Sequence, residues 1–241
     1  MSAPSAASLL DFWEAGQGLP PARRALLALS LGVAGATPLA LENLAVGERD
    51  RQLLRLRELL FGERMASYIA CPECRERLEI DLSTEGLRVA SAPETEAPIA
   101  VTHGQREVRF RLPNCGDVNA ITTIRDRTRA REVLAERCCL FPAEAEAGPL
   151  PAEVVDAFES LAAEADPQAD TRIQVSCPAC GRTSEVLFDA GEYLWTEISA
   201  WARRTLREIH VLASAYGWRE QDVLDLSPSR RRQYLNLVMA G

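Results

Sequence analysis

Lysine is missing from this chain: all 27 of its basic residues are arginine. That excludes a Schiff-base lysine, as in pyridoxal phosphate or class I aldolase chemistry, and the phosphate-binding lysine of a P-loop. Histidine is scarce too, with only His103 and His210, so catalysis built on several imidazoles is excluded. No run approaches the roughly 18 apolar residues that a membrane-spanning helix needs. Met1 to Ser8 lack the basic start and apolar stretch of a secretory signal, and the expectation is a soluble cytoplasmic protein.

Net charge is -8, from 35 acidic residues against 27 arginines, but it is not spread evenly. Between Arg137 and Arg172 there is no basic residue, and Glu144, Glu146, Glu153, Asp156, Glu159, Glu164, Asp166 and Asp170 are all acidic. Setting those eight aside leaves 27 acidic against 27 basic, so acidity belongs to one segment, read as a solvated face. From Arg203 onward, seven arginines stand against four acids.

What chemistry is present lies in the seven cysteines. A cytoplasmic setting keeps thiols reduced, which argues against a disulfide framework, and four of the seven form two CxxC pairs. These are Cys71-Pro72-Glu73-Cys74 and Cys177-Pro178-Ala179-Cys180-Gly181. In such a turn both sulfurs converge on one ion, and two turns complete a tetrahedral site suited to structural Zn(II), one per chain, with no position left open for water or substrate. A glycine after the second cysteine relieves backbone crowding; Gly181 fits this and Arg75 does not. The 102 residues between Cys74 and Cys177 require either an insertion whose ends return together or half-sites meeting across chains. Two unmetallated redox motifs are the competing reading, although neither pair has the βαβ setting that lowers a thiol pKa. Cys115, Cys138 and Cys139 read as buried structural thiols, and His210, beside Ile209, as a packed histidine.

Periodicity predicts helices at Ser8–Ala15, Arg23–Leu31 (opened by Pro20-Pro21), Arg49–Phe61, Asn119–Cys138 and Ala152–Ala163. It predicts strands at Arg77–Leu82, Ile99–Thr102, Glu107–Leu112, Ile173–Val175 and Ser184–Phe188. Three helices close the chain: Leu194–Tyr216 stopped by Gly217, Gln221–Leu226, and a last one opened by Ser227-Pro228. Arginines 51, 55 and 57 fall off the apolar stripe of their helix. The fold class is α+β, mainly helical, with a split zinc-ribbon-like β module interrupted by a long insertion. The divisions are a helical region 1–66, ribbon halves 67–112 and 171–190, a helical acidic insertion 113–170, and a C-terminal helical region 191–241.

Several segments resemble a known family. They are Gly47-Glu48-Arg49-Asp50, Phe110-Arg111-Leu112-Pro113, the knuckles, Ile209-His210-x-Leu212-Ala213-x-x-Tyr216-Gly217-Trp218 and Leu226-Ser227-Pro228-x-Arg230-Arg231-x-x-Tyr234-Leu235. Together these are similar to the T-even-type phage baseplate hub or hub-assembly proteins, found also with phage-tail-like contractile injection systems. The resemblance implies a non-catalytic baseplate component or assembly factor, incorporated into a phage-tail-like particle, with hub, sheath or other baseplate proteins as partners. No small-molecule substrate is expected. Core packing is the default reading for Trp195, Trp201, Tyr216, Trp218 and Tyr234; with Arg230 and Arg231 they are the alternative candidates for a partner interface, since Trp, Tyr and Arg are enriched at hot spots. The rival class is a zinc-ribbon nucleic-acid-binding or regulatory protein, with the three C-terminal helices and Arg230-Arg231-Arg232 imitating a helix-turn-helix; the overall acidity and lack of a broad basic stripe weigh against it.

Overall fold

Short polar side chains set where the helices begin. In the computed structural model, which describes residues 3–33, 35–89, 98–140 and 149–240, Ser5 caps α1 (Ala6–Gly16), Thr37 caps α3 (Pro38–Glu42) and Ser83 caps α5 (Thr84–Leu87). Prolines start α2 (Pro21–Gly32), and the carbonyl of Ala45 opens α4 (Val46–Phe61). Asn114 and Asp117 form a reciprocal capping box on α6 (Cys115–Ile121), and Asp126 caps α7 (Arg127–Cys138). The single helix expected over Asn119–Cys138 is therefore two: Thr122 and Thr123 are β-branched, and the Asp126 carboxylate takes the Arg129 amide as a fresh start. After α8 (Ala152–Ala165) comes one 3-10 turn, Pro167–Asp170. Asp189 caps α9 (Ala190–Tyr216), which Gly217 ends in the left-handed conformation, before α10 (Glu220–Leu224) and α11 (Pro228–Ala240).

Among the described residues, six strands make three separate antiparallel hairpins. These are β1 (Arg64–Ala70) with β2 (Arg77–Ser83), β3 (Ile99–His103) with β4 (Arg106–Phe110), and β5 (Arg172–Ser176) with β6 (Thr183–Leu187). The molecule is thus mixed α+β and mainly helical, with small two-stranded sheets.

The largest core joins the two ends of the chain. Leu9 and Phe12 of α1, Ala25 and Leu29 of α2, and Leu53, Leu54 and Leu56 of α4 pack with Leu194 and Ile198 of α9. The N-terminal helices α1, α2 and α4 and the C-terminal helix α9, distant in sequence, accordingly share one interior. Gly16 is needed there, because a Cβ at that position would run into the Trp195 ring. Arg57, placed off the apolar stripe by sequence, is in fact buried: its guanidinium grips Glu197 through two 2.8 Å bonds and the Gly62 carbonyl at 2.5 Å, tying the end of α4 to α9. A second core sets β3–β4 against α7 and α8, with Phe110 stacked on Phe158 at 4.5 Å. A third lies under α10 and α11, from Leu10, Ala202, Ile209, Leu212 and Val223.

Candidate metal centre

Each CxxC segment is the tip of a hairpin, and the two tips have the same backbone. In the first, the Cys71 amide donates to Glu76 O at 2.8 Å and the Arg75 amide to Cys71 O at 3.0 Å. In the second, Cys177 donates to Arg182 O at 2.9 Å and Gly181 to Cys177 O at 2.8 Å. Residues 75 and 181 both lie in the left-handed region, at φ 64° and 70°. Glycine occupies that conformation freely, whereas Arg75 is alone among described non-glycine residues in adopting a positive φ. The knuckle turn is therefore formed without its glycine, at a cost of about 1–2 kcal/mol.

Behind the tips the hairpins face one another across a small apolar layer of Ile69, Leu78 and Ile80 from one and Ile173, Val175 and Val186 from the other. This contact, not the chain between them, aligns the half-sites. The four sulfurs lie within 4.8 Å of one another. Cys71 Sγ sits 3.8 Å from Cys180 Sγ, and Cys74 Sγ 3.6 Å from Cys177 Sγ. A regular thiolate tetrahedron with metal–sulfur bonds of about 2.3 Å has edges of about 3.8 Å, so the cage has the size an ion requires. A disulfide, at about 2.05 Å, is not what this spacing represents. The first cysteine of each pair is buried, 1% exposed for Cys71 and 3% for Cys177, while Cys74 and Cys180 are open to solvent.

Amide and thiol groups oppose each other in the electrostatics of the cage. The Cys74 amide, helped by that of Glu73, holds the Cys71 thiol down at about 7. Cys74 feels the Glu76 amide in the same sense, but desolvation and the neighbouring sulfurs push it up to about 12. Cys180 is likewise raised: the Arg182 amide pulls down, and desolvation and the Cys177 sulfur outweigh it. Four thiols this close cannot all ionise unaided, and a divalent cation is the group that would let them. Glu73 and Arg182 pair across the two tips at 3.3 Å, on the surface.

No family model, curated protein or solved structure matches the chain.

The four ligands named from sequence come together. Of the remaining thiols, Cys115 and Cys138 are buried, and burial pushes them up to about 11 and about 12, whereas Cys139 is only half-buried, a correction to its expected burial; none belongs to a metal cluster among the described residues. His103, at a hairpin end, and His210 are both exposed, so the expectation of a packed His210 is corrected: it shares the solvent face of α9 with Arg203 and Arg207. The aromatic and arginine candidates for an interface divide by position. Trp195 packs on Phe12, 5.7 Å between ring centres, beneath the Arg24 guanidinium. Trp201 is half-buried between two cores. Tyr216, Trp218 and Tyr234 form a three-ring cluster with centres 4.8 to 5.7 Å apart, Tyr216 open to solvent. Arg231 is buried against Glu208 at 2.8 Å, and Arg230 is exposed.

Two polar joints that fix the frame were not anticipated. Asp117, fully buried, takes Arg111 through both nitrogens at 2.5 and 3.0 Å, Arg137 at 3.0 Å and the Asn114 amide at 3.0 Å. Burial alone would raise its pKa; the Arg111 contact and the Asn114 amide outweigh it, and the carboxyl sits below its ordinary range. The Asn114-x-x-Asp117 spacing was the available signal. At the second joint Asp166 Oδ2 accepts the Gly47 amide at 2.8 Å, so a carboxylate from the end of α8 caps α4. A Cβ on residue 47 would overlap that carboxylate. Nothing local in sequence announces a contact between residues 119 positions apart.

Proposed function

We propose that the protein is a non-catalytic structural component or assembly factor of a contractile, phage-tail-like baseplate, held together by one structural zinc ion in a split zinc-ribbon-like module. The closed four-thiolate cage carries the metal part of this reading. Tetrahedral sulfur favours zinc among divalent ions, and four protein ligands leave no vacancy for a reacting group, so the ion's contribution is cross-linking. Cys71, Cys74, Cys177 and Cys180 would hold it.

The baseplate part rests on the motif resemblance. What the structure adds in support is the role of the motif residues: Gly47 lies under Asp166, Arg111 grips Asp117, and Arg231 grips Glu208. These positions set a framework and are not arranged around a substrate. Deleting the gene should abolish intact sheathed particles, with restoration by the wild-type copy; intact, firing particles assembled without it would refute the assignment.

One observation favours the nucleic-acid alternative enough to test it. Arg203, Arg207, Arg230 and Arg232 are exposed and take part in no ion pair among the described residues, and Arg231–Glu208 brings their two helices together. Submicromolar duplex-DNA binding that weakens with salt would favour that reading.

A further inference from the structure

We propose that the free edge of β1 receives an extended segment of a partner protein as an added strand, its apolar side chains alternating with basic ones. The register decides which backbone groups are available. Thr84 donates to Glu63 O and Cys71 to Glu76 O, so Met65, Ser67 and Ile69 exchange their bonds with β2. The amides and carbonyls of Ala66, Tyr68 and Ala70 therefore point the other way, off the edge. The Tyr193 hydroxyl donates to the Ala66 carbonyl at a long 3.4 Å; the Tyr68 groups have no such partner among the described residues.

That edge borders an open groove of about 540 Å³. Ile69, Ile80, Leu82, Ile173 and Val186 contribute its apolar wall, and the start of α9 contributes the opposite side. Tyr68 and Leu187 stand at it 56% and 63% exposed, although both are large and apolar in body. Natural edge strands are protected by proline, bulges or inward charges. β1 has none of these: its seven pairs are continuous, and its single charge, Arg64, is at the start. An edge guarded only by the long Tyr193 contact, beside an apolar groove, is the shape that strand addition uses, with main-chain bonds for affinity and alternate side chains for specificity.

Charge selects the occupant. Asp189, Glu192 and Glu197 line the groove and no basic residue does, although Asp189 also caps α9 and the Arg77 guanidinium stacks on the Tyr68 ring at 3.8 Å. Arg24 and Arg57 pair with Glu192 and Glu197 from behind, but both guanidinium-bearing side chains are mostly covered, leaving the carboxylates as the rim. A second copy would bring the same acidic rim and be repelled, whereas a basic and apolar strand is complementary. The inference holds whether or not the baseplate reading does.

The full-length protein tests it by amide exchange with a capped peptide of alternating valine and arginine. Free, the Tyr68 amide should exchange openly while Ser67 and Ile69 are protected; peptide at about 1 mM should slow Tyr68 by about tenfold or more. The glutamate analogue and a peptide N-methylated at alternate positions should both fail to protect it. Tyr68→Pro removes the outward N–H, which an edge strand tolerates, together with the ring that Arg77 stacks on, and should cut peptide affinity by about tenfold. Leu187→Glu, at an exposed site, serves as an independent second variant with the same expected loss. Absence of binding, binding without Tyr68 protection, equal binding of the glutamate peptide, or Tyr68 protection in the free protein that grows with concentration would each overturn the proposal.

Discussion

Two residues after two cysteines differ by a side chain, and the difference is measurable. Arg75 and Gly181 occupy equivalent left-handed positions, so Arg75→Gly should raise stability by about 1 kcal/mol, the relief of αL strain less the added freedom of the unfolded chain. Gly181→Ala should lower it by about as much. Thermal melts of metal-loaded protein read both, and a destabilising Arg75→Gly would mean that the arginine side chain contributes more than its backbone costs. The same scale holds for Gly47. Gly47→Ala drives a methyl into the Asp166 carboxylate and should cost about 1–3 kcal/mol in chemical denaturation, whereas a nearly neutral result would show that α8 can give way. The knuckle glycine was open to reading from sequence because the constraint is local. The Gly47 approach was not, since its cause lies in another helix.

Elements follow local chemistry where they own their partners. The last three helices, the strands β2, β5 and β6 beside the knuckles, and Gly217 as a terminator were legible in the caps and the periodicity. Three things were not: β1, whose apolar and small residues carry no clean alternation; the break between α6 and α7; and the burial of Arg57, whose partner is on α9. The joint between β4 and the helices α6 and α7 yields a pH prediction. Asp117 has a depressed pKa in the fold, so its stabilisation is complete above the unfolded carboxyl value, near 4, and is lost as pH falls through the lower folded value. Asp117→Asn should destabilise by about 3 kcal/mol at neutral pH, at the low end for a broken buried pair because Arg111 and Arg137 can reach water. It should also flatten the acid limb of the stability profile. An unchanged acid limb in the variant would place the acid-sensitive group elsewhere.

For the whole molecule, metal and fold should be one equilibrium. Purified protein is expected to carry about one zinc per chain, and Cys71→Ser or Cys177→Ser should lose the ion together with a large part of the stability, since structural zinc contributes about 10–16 kcal/mol of apparent binding free energy in small domains. Metal content and melting temperature measured on the same sample check this; a cysteine variant that kept both would rule out the shared site. Sequence spacing could name the four ligands but not how the half-sites meet. That answer came from the Ile69, Leu78 and Ile80 layer against Ile173, Val175 and Val186, a pairing that no local pattern encodes. Nor could the linear divisions show that α1, α2 and α4 close their core only on α9.

The closure of the cage by residues far apart in the chain bears on synthesis. Cys74 leaves the ribosome 103 residues ahead of Cys177, which at about 5–20 residues per second leaves a lone thiol pair waiting for roughly 5–20 s. The N-terminal helices wait longer still, because Leu194 and Ile198 arrive later. A nascent chain with two uncommitted thiols and an unfinished interior is the form most exposed to oxidation and to zinc shortage. Sensitivity to either should therefore fall on newly made protein far more than on protein already folded.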